Sequence, residues 1–138
     1  TGVQLEVGDT ATPFEHRSYG DELARCQRYY QRIDGNSSSL QVFGTGLWDS
    51  TTNGRLLWPQ PVEFRATPSL GKSANGDVGI AETGVNVYYS TSSSLLYNNK
   101  QATIVRVNVT TSGSTQGEAT IGYLRQATGT YIELDAEL

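Results

Sequence analysis

SYGDELARCQRYYQRIDG, residues 18–35, is the stretch on which the fold turns. It carries a helical pattern in a chain otherwise built from short β-type runs and polar turns. Ser18 is a good N-cap, and Asp21 three residues on has the spacing of a capping box, with Asp for the usual Glu or Gln. Asp21 and Glu22 put negative charge in the first turn, and Arg25, Arg28 and Arg32 follow towards the last, as the helix dipole prefers. Gly35 is a natural C′ residue that can stop the helix. The apolar positions Tyr19, Leu23, Cys26, Tyr30 and Ile33 are spaced 4, 3, 4 and 3, a heptad seam along one helix face. A helix this short is marginal alone in water. Its seam is expected to pack either on the chain's own sheet or against copies of itself about a symmetry axis.

On the N-terminal side, residues 1–17 read as a strand and linker from a preceding domain. Val3, Leu5 and Val7 alternate with Gln4 and Glu6, the pattern of a half-buried strand. Thr12-Pro13-Phe14 is an extended lead-in, because the residue before Pro avoids the helical region. The first residue is Thr, so the chain is expected to be part of a longer polypeptide. Cys26 stands alone, which excludes an internal disulfide; its place on the seam predicts a buried free thiol.

On the C-terminal side, residues 36–138 read as one β-sandwich domain of about seven strands. Leu40–Trp48 is a strand, with Leu40, Val42 and Trp48 on one parity and Phe43 and Leu47 on the other. Asn53-Gly54 predicts a tight hairpin turn. The returning run places Leu56, Trp58, Val62 and Phe64 on one face, while Pro59 and Pro61 mark an edge or bend. Residues 84–90 alternate with Val85, Val87 and Tyr89 on one parity and Tyr88 on the other. Leu95, Leu96 and Tyr97 fall in a long polar loop that closes with Asn98-Asn99. Further on, Val105, Val107 and Val109 share a face, Ala119, Ile121 and Tyr123 are expected inward, and Ile132, Leu134, Ala136 and Leu138 line the inner side of the last strand.

Composition narrows the function. The 138 residues suffice for one domain that buries roughly two thirds of its unfolded surface. A net charge of −4 with scattered cations offers no basic patch for a nucleic-acid backbone. No apolar run approaches membrane-spanning length. A single histidine, His16, with no Cys or carboxylate pair at ligand spacing makes no metal site, and no cofactor motif is present.

GVQLEVGDTATPFEHRSYGDELARCQRYYQ resembles a segment of tail-fibre and related structural proteins of tailed bacteriophages. PVEFRATPSL is similar to a second landmark of that family, and YIELDAEL to its "DAEL" ending. The resemblance implies a virion structural module, often trimeric, that contacts host-surface glycans or positions the parts that do, and makes Leu138 a native terminus. The expected assembly is a homotrimer among other virion proteins, with Tyr19, Leu23, Cys26, Tyr30 and Ile33 at the interface. Candidate glycan contacts are Tyr88, Tyr97, Asn98, Asn99, Tyr131 and Trp48, aromatic faces for sugar C–H groups and amides for hydroxyls. The fold expected is mainly β, a jelly-roll-like antiparallel β-sandwich preceded by a strand and one amphipathic helix. Two alternatives stand beside attachment: a purely architectural decoration or trimerisation module, and a glycan-degrading spike domain. The last needs two carboxylates across a cleft, for which Glu133 and Asp135 are the outward pair on one strand; they read more simply as solvated face charges.

Overall fold

In a computed structural model that describes residues 5, 7–10, 12–14, 16–82, 86–110 and 112–137, the chain is a mainly β protein with one α-helix among the described residues. The helix, α1, spans Tyr19–Gln27, and ten strands follow. They are β1 (Tyr30–Asp34), β2 (Gln41–Ser50), β3 (Asn53–Trp58), β4 (Ser69–Lys72), β5 (Val78–Glu82), β6 (Val87–Tyr89), β7 (Ser92–Asn98), β8 (Thr103–Asn108), β9 (Ala119–Leu124) and β10 (Tyr131–Asp135). They form two antiparallel sheets, one ordered β1-β10-β4 and the other β6-β5-β9-β2-β3-β8-β7. The curled larger sheet and the smaller one enclose a single core, making a β-sandwich.

The helix is half as long as its sequence pattern implies. Ser18 caps it as expected, its Oγ accepting the N–H of Asp21 at 3.2 Å. It ends at Gln27, where the N–H groups of Arg28 and Tyr29 bond back to the carbonyls of Arg25 and Cys26, and Arg65 donates to the Arg28 carbonyl at 2.8 Å. Residues 30–34 then pair with β10 in the register Tyr30↔Asp135 to Asp34↔Tyr131. Sheet pairing satisfies every second backbone group of this segment and packs the half-buried Ile33 against the core, which outweighs helical continuation. The 4–3 seam is therefore split between a helix and a strand, and the sandwich begins at residue 30 rather than 36.

Other expectations divide along physical lines. β8 and β10 bury Val105, Val107, Ile132, Leu134 and the flanking Val109 and Ala136, as their alternation implies; Leu138 lies outside the described residues. β2 carries a register shift between Val42 and Gly44, so Phe43 and then Gly44 and Trp48 all face inward while Val42 and Leu47 face out. The hairpin turn is Thr51-Thr52, not Asn53-Gly54. Gly54 instead opens β3 and packs where a Cβ would stand 2.9 Å from Ile80 Cδ1. β9 is inverted from its expected parity: Thr120, Gly122 and Leu124 are buried, and Ile121 and Tyr123 face outward. Residues 95–97 belong to strand β7, not a loop. Of the N-terminal strand expected over residues 2–7, all but Leu5 and Val7 lies outside the described residues, and those two side chains are fully exposed.

Core packing over β9 is tight. A Cβ on Gly122 would stand 2.6 Å from both Leu56 Cδ1 and the Phe43 ring, whereas one on Gly76 would meet nothing within 4 Å. Gly122→Ala should therefore destabilise the fold by about 1–3 kcal/mol through overpacking, with Gly76→Ala near neutral. Chemical denaturation of both variants checks this, and equal midpoints would contradict the packing described.

Candidate functional site

Alternation along β1 and β10 sets six polar and aromatic side chains on the outer face of the smaller sheet: Tyr30, Arg32 and Asp34 on β1, Tyr131, Glu133 and Asp135 on β10. Arg32 lies opposite Glu133, and Glu133 lies opposite Gly71 of β4. A Cβ at Gly71 would sit 2.4 Å from Glu133 Oε1, so the missing side chain leaves room for that carboxylate to lie across the sheet.

Tyr30, Arg32, Asp34 and Glu133 hold one another. The Tyr30 hydroxyl donates to Glu133 Oε2. Arg32 donates through Nε at 2.8 Å and Nη2 at 2.7 Å to Asp34 Oδ1, and its Nη1 lies 3.6 Å from Glu133 Oε2. Its guanidinium carbon is 4.0 Å from the centre of the Tyr131 ring, a cation–π stack. The hydrogen bond to Glu133 pushes the Tyr30 phenol above its ordinary range. The bonds to Asp34, and then to Tyr30, push Arg32 upward too, so the guanidinium stays charged. Fixed charges and rings on a sheet cost little entropy when a ligand arrives.

Beside this face opens a groove of 470 Å³, within the size range of small-ligand sites. It is lined by Leu23 and Gln27 of α1, Tyr30 to Ile33 of β1, Trp58 at the end of β3, and Pro59 and Pro61 beyond it. Tyr30 and Arg32 belong to both the groove and the polar face. The arrangement offers carboxylate oxygens to accept from hydroxyls, a guanidinium to donate, and aromatic surface for C–H groups. Among the described residues, no group of three or more His, Cys, Asp or Glu side chains could hold a metal ion, and no helix is long and apolar enough to cross a membrane.

The residues singled out from sequence scatter. Tyr131 lies on this face, and Leu23, Tyr30 and Ile33 line the groove. Tyr19 and Cys26 are exposed on α1, which has no buried residue; the thiol lines a shallow pocket with Arg17, Arg25 and Tyr29 and is not buried as expected. Trp48 is 1% exposed and offers no face to a sugar. Tyr88 is half-buried, its ring edge-on to Trp48 at 5.9 Å and its hydroxyl accepting the Gly113 N–H. Tyr97 is exposed, but on the other sheet. The amides of Asn98 and Asn99 are used within the fold: Asn98 donates to the Pro68 carbonyl, and Asn99 Oδ1 accepts the N–H groups of Gln101 and Ala102, both at 2.8 Å. Glu133 was read from sequence only as an outward, solvated face charge paired with Asp135, and Arg32 and Gly71 were not singled out as ligand contacts; the strand-like alternation of YQRID was the available signal for Arg32, hidden beneath the helical reading.

Comparison with protein-family models, curated proteins and solved structures finds no match to this chain.

In Glu133→Gln the Tyr30 phenol loses its charged acceptor, so its titration should fall back towards the ordinary tyrosine value of about 10. A phenol raised in the folded state contributes fully to stability below its unfolded value, and that contribution is lost as pH rises through the folded one. The tyrosinate absorbance difference between wild type and variant should show one tyrosine moving down, and superimposable curves would contradict the Tyr30–Glu133 bond.

Proposed function

We propose that this chain is a non-enzymatic structural module of a tailed-bacteriophage virion, at a tail-fibre tip or on the particle surface, that attaches the particle to host-surface glycans. Two things support the reading. One is the resemblance of residues 2–31, of PVEFRATPSL and of YIELDAEL to virion structural proteins. The other, which carries the reading, is the juxtaposition of Tyr30, Arg32, Asp34, Tyr131 and Glu133 on one exposed sheet face beside a groove. Glycan recognition asks for that mixture: rings for the apolar side of a sugar, and paired charges that both donate to and accept from hydroxyls. Attachment without cleavage fits the carboxylates. Glu133 is engaged by Tyr30 and Arg32, and Asp135 Oδ1 accepts the N–H of Glu137 at 2.8 Å. They lie on an open sheet rather than across a cleft from one another.

A purely architectural role is the second reading, favoured by α1. Its Tyr19 and Leu23 are 82% and 41% exposed, and a nine-residue helix with no buried residue gains from subunits packed against it, as in a homotrimer.

A glycan array probed with multivalent wild-type protein tests attachment. Arg32→Ala and Tyr131→Ala should each lower the apparent affinity by about tenfold or more, the loss expected for a charge-assisted contact. Gln116→Ala, an exposed change away from the site, should leave it unaltered. Absence of any bound glycan leaves the architectural reading, and release of reducing sugar overturns the non-enzymatic one.

A further inference from the structure

Three arginines of the two sheets are matched to acids: Arg32 to Asp34 and Glu133, and Arg55 and Arg106 to Asp49. A pocket beside α1 departs from that pattern. It has a volume of 290 Å³ and is lined by Arg17, Glu22, Arg25, Cys26, Arg28 and Tyr29. Glu22, Arg25 and Cys26 fall on one face of the helix, because residues three and four apart are neighbours there. Arg17, just before the N-cap, is drawn onto that face by its ion pair with Glu22 at 3.1 Å. Arg28 is the C-cap residue, and its carbonyl accepts the N–H of Arg65 at 2.8 Å. That bond brings a fourth guanidinium to the rim, its carbon 5.1 Å from the centre of the Tyr29 ring. Among the described residues, no carboxylate forms an ion pair with Arg25 or Arg28. Three positive charges less one negative leave the lining at +2, in a chain whose net charge is −4.

We infer that this pocket binds a doubly charged oxyanion, a phosphate or sulfate group, free or esterified to a sugar. Charge supplies the first argument. Like charges gathered round one pocket repel, and a bound dianion replaces that repulsion with attraction and cancels the net charge of the lining. The helix dipole draws cations to the C-terminal end of α1 and so accounts for Arg25 and Arg28. It does not account for Arg17, which stands before the N-terminus where a cation is disfavoured, nor for Arg65, which comes from another part of the chain. Chemistry supplies the second. Guanidinium groups present planar pairs of N–H donors that match the oxygens of phosphate and sulfate, and Arg25 and Arg28 are exposed with no carboxylate engaging them. Size agrees: the pocket falls just short of the roughly 300–1,000 Å³ of whole-ligand sites, room for one such group rather than for an entire glycan. Nor does a cluster this small make the extended basic stripe that a nucleic-acid backbone needs. The pocket shares no lining residue with the groove beside β1, so the inference stands whether or not the polar face binds sugar.

Cys26 makes the test direct, because the chain's single thiol is exposed and lines the pocket. The rate of its alkylation by neutral iodoacetamide is measured on the full chain as inorganic phosphate or sulfate replaces chloride at constant ionic strength. Both anions should slow the reaction saturably, with a half-maximal effect at about 1 mM. Glucose 6-phosphate acting at tenfold lower concentration than inorganic phosphate assigns the group to a sugar ester, and equal action assigns it to the free ion. Arg25→Gln and Arg28→Gln should each weaken protection by about tenfold, the loss expected for a charge-assisted hydrogen bond. Arg125→Gln removes the same charge from an exposed position outside the pocket and should leave protection unaltered. Glu22→Gln takes the negative charge from the lining and should strengthen it. Alkylation as fast in phosphate and sulfate as in chloride overturns the inference. So does protection that survives both pocket variants, or that falls equally with Arg125→Gln. Should an arginine variant unfold α1, the Nε–H resonances of Arg25 and Arg28 in a phosphate titration of wild type replace it: saturable shifts support the inference, and unmoved resonances overturn it.

Discussion

The pairing of β1 with β10 is the contact on which the rest depends. It joins residues roughly a hundred positions apart, at a loop-closure cost of about 4 kcal/mol that the five-residue register and the apolar residues behind it must offset. Behind it, Ile33 and Ile132 lie opposite one another, and Leu134 is fully buried. The same pairing ends α1 early, supplies the edge strand of the smaller sheet and brings Ile33, Ile132 and Leu134 to the core cluster that holds Trp58 and Phe64. In front of it, by the strict alternation of strands, stand the side chains of the candidate site. One register thus fixes both the core and the polar face: a slip by a single residue would exchange Ile33 and Leu134 for Arg32 and Glu133.

How much of this could be read from residues alone depends on whether a strand has one apolar face or two. β8 and β10 were legible because valine, isoleucine and leucine alternate with polar neighbours, and period two leaves one choice of face. β9 was not. Its inner face carries Thr120 and Gly122 before Leu124, the threonine satisfied by donating to the Ala81 carbonyl at 2.7 Å, the glycine required by the Phe43 ring above it. Its outer face carries the isoleucine and tyrosine. When a sheet is apolar on the outside, alternation still reports a strand but no longer reports which side is in. β2 adds a bulge that moves the buried set from odd to even positions part-way along, a change that depends on its partner strand and leaves no mark in its own composition.

The candidate site was harder to see for a related reason. Arg32 and Glu133 become neighbours only through the long-range pairing, and Arg32 had a sufficient local explanation as a cation near a helix C-terminus. Local propensity and tertiary pairing compete over residues 28–35, and pairing wins because a strand there satisfies backbone groups of β10 as well as its own. Asn98 and Asn99 show the opposite error. Their amides suit a ligand, but the fold uses them first: Asn99 accepts the backbone N–H groups of the turn between β7 and β8, and Asn98 donates to the Pro68 carbonyl. Trp48 likewise is large enough that the core claims it.

The two sheets present chemically opposed outer faces. The smaller carries fixed charges and aromatic edges that lose little on contact with a hydrated ligand. The larger carries aliphatic and aromatic side chains that gain by leaving water. A shallow polar face binds weakly as a single copy, because most of its hydrogen bonds merely replace those to water. On the proposed function, affinity therefore has to come from side chains already fixed in place, Arg32 between Asp34 and Glu133 and over the Tyr131 ring, rather than from the number of hydrogen bonds.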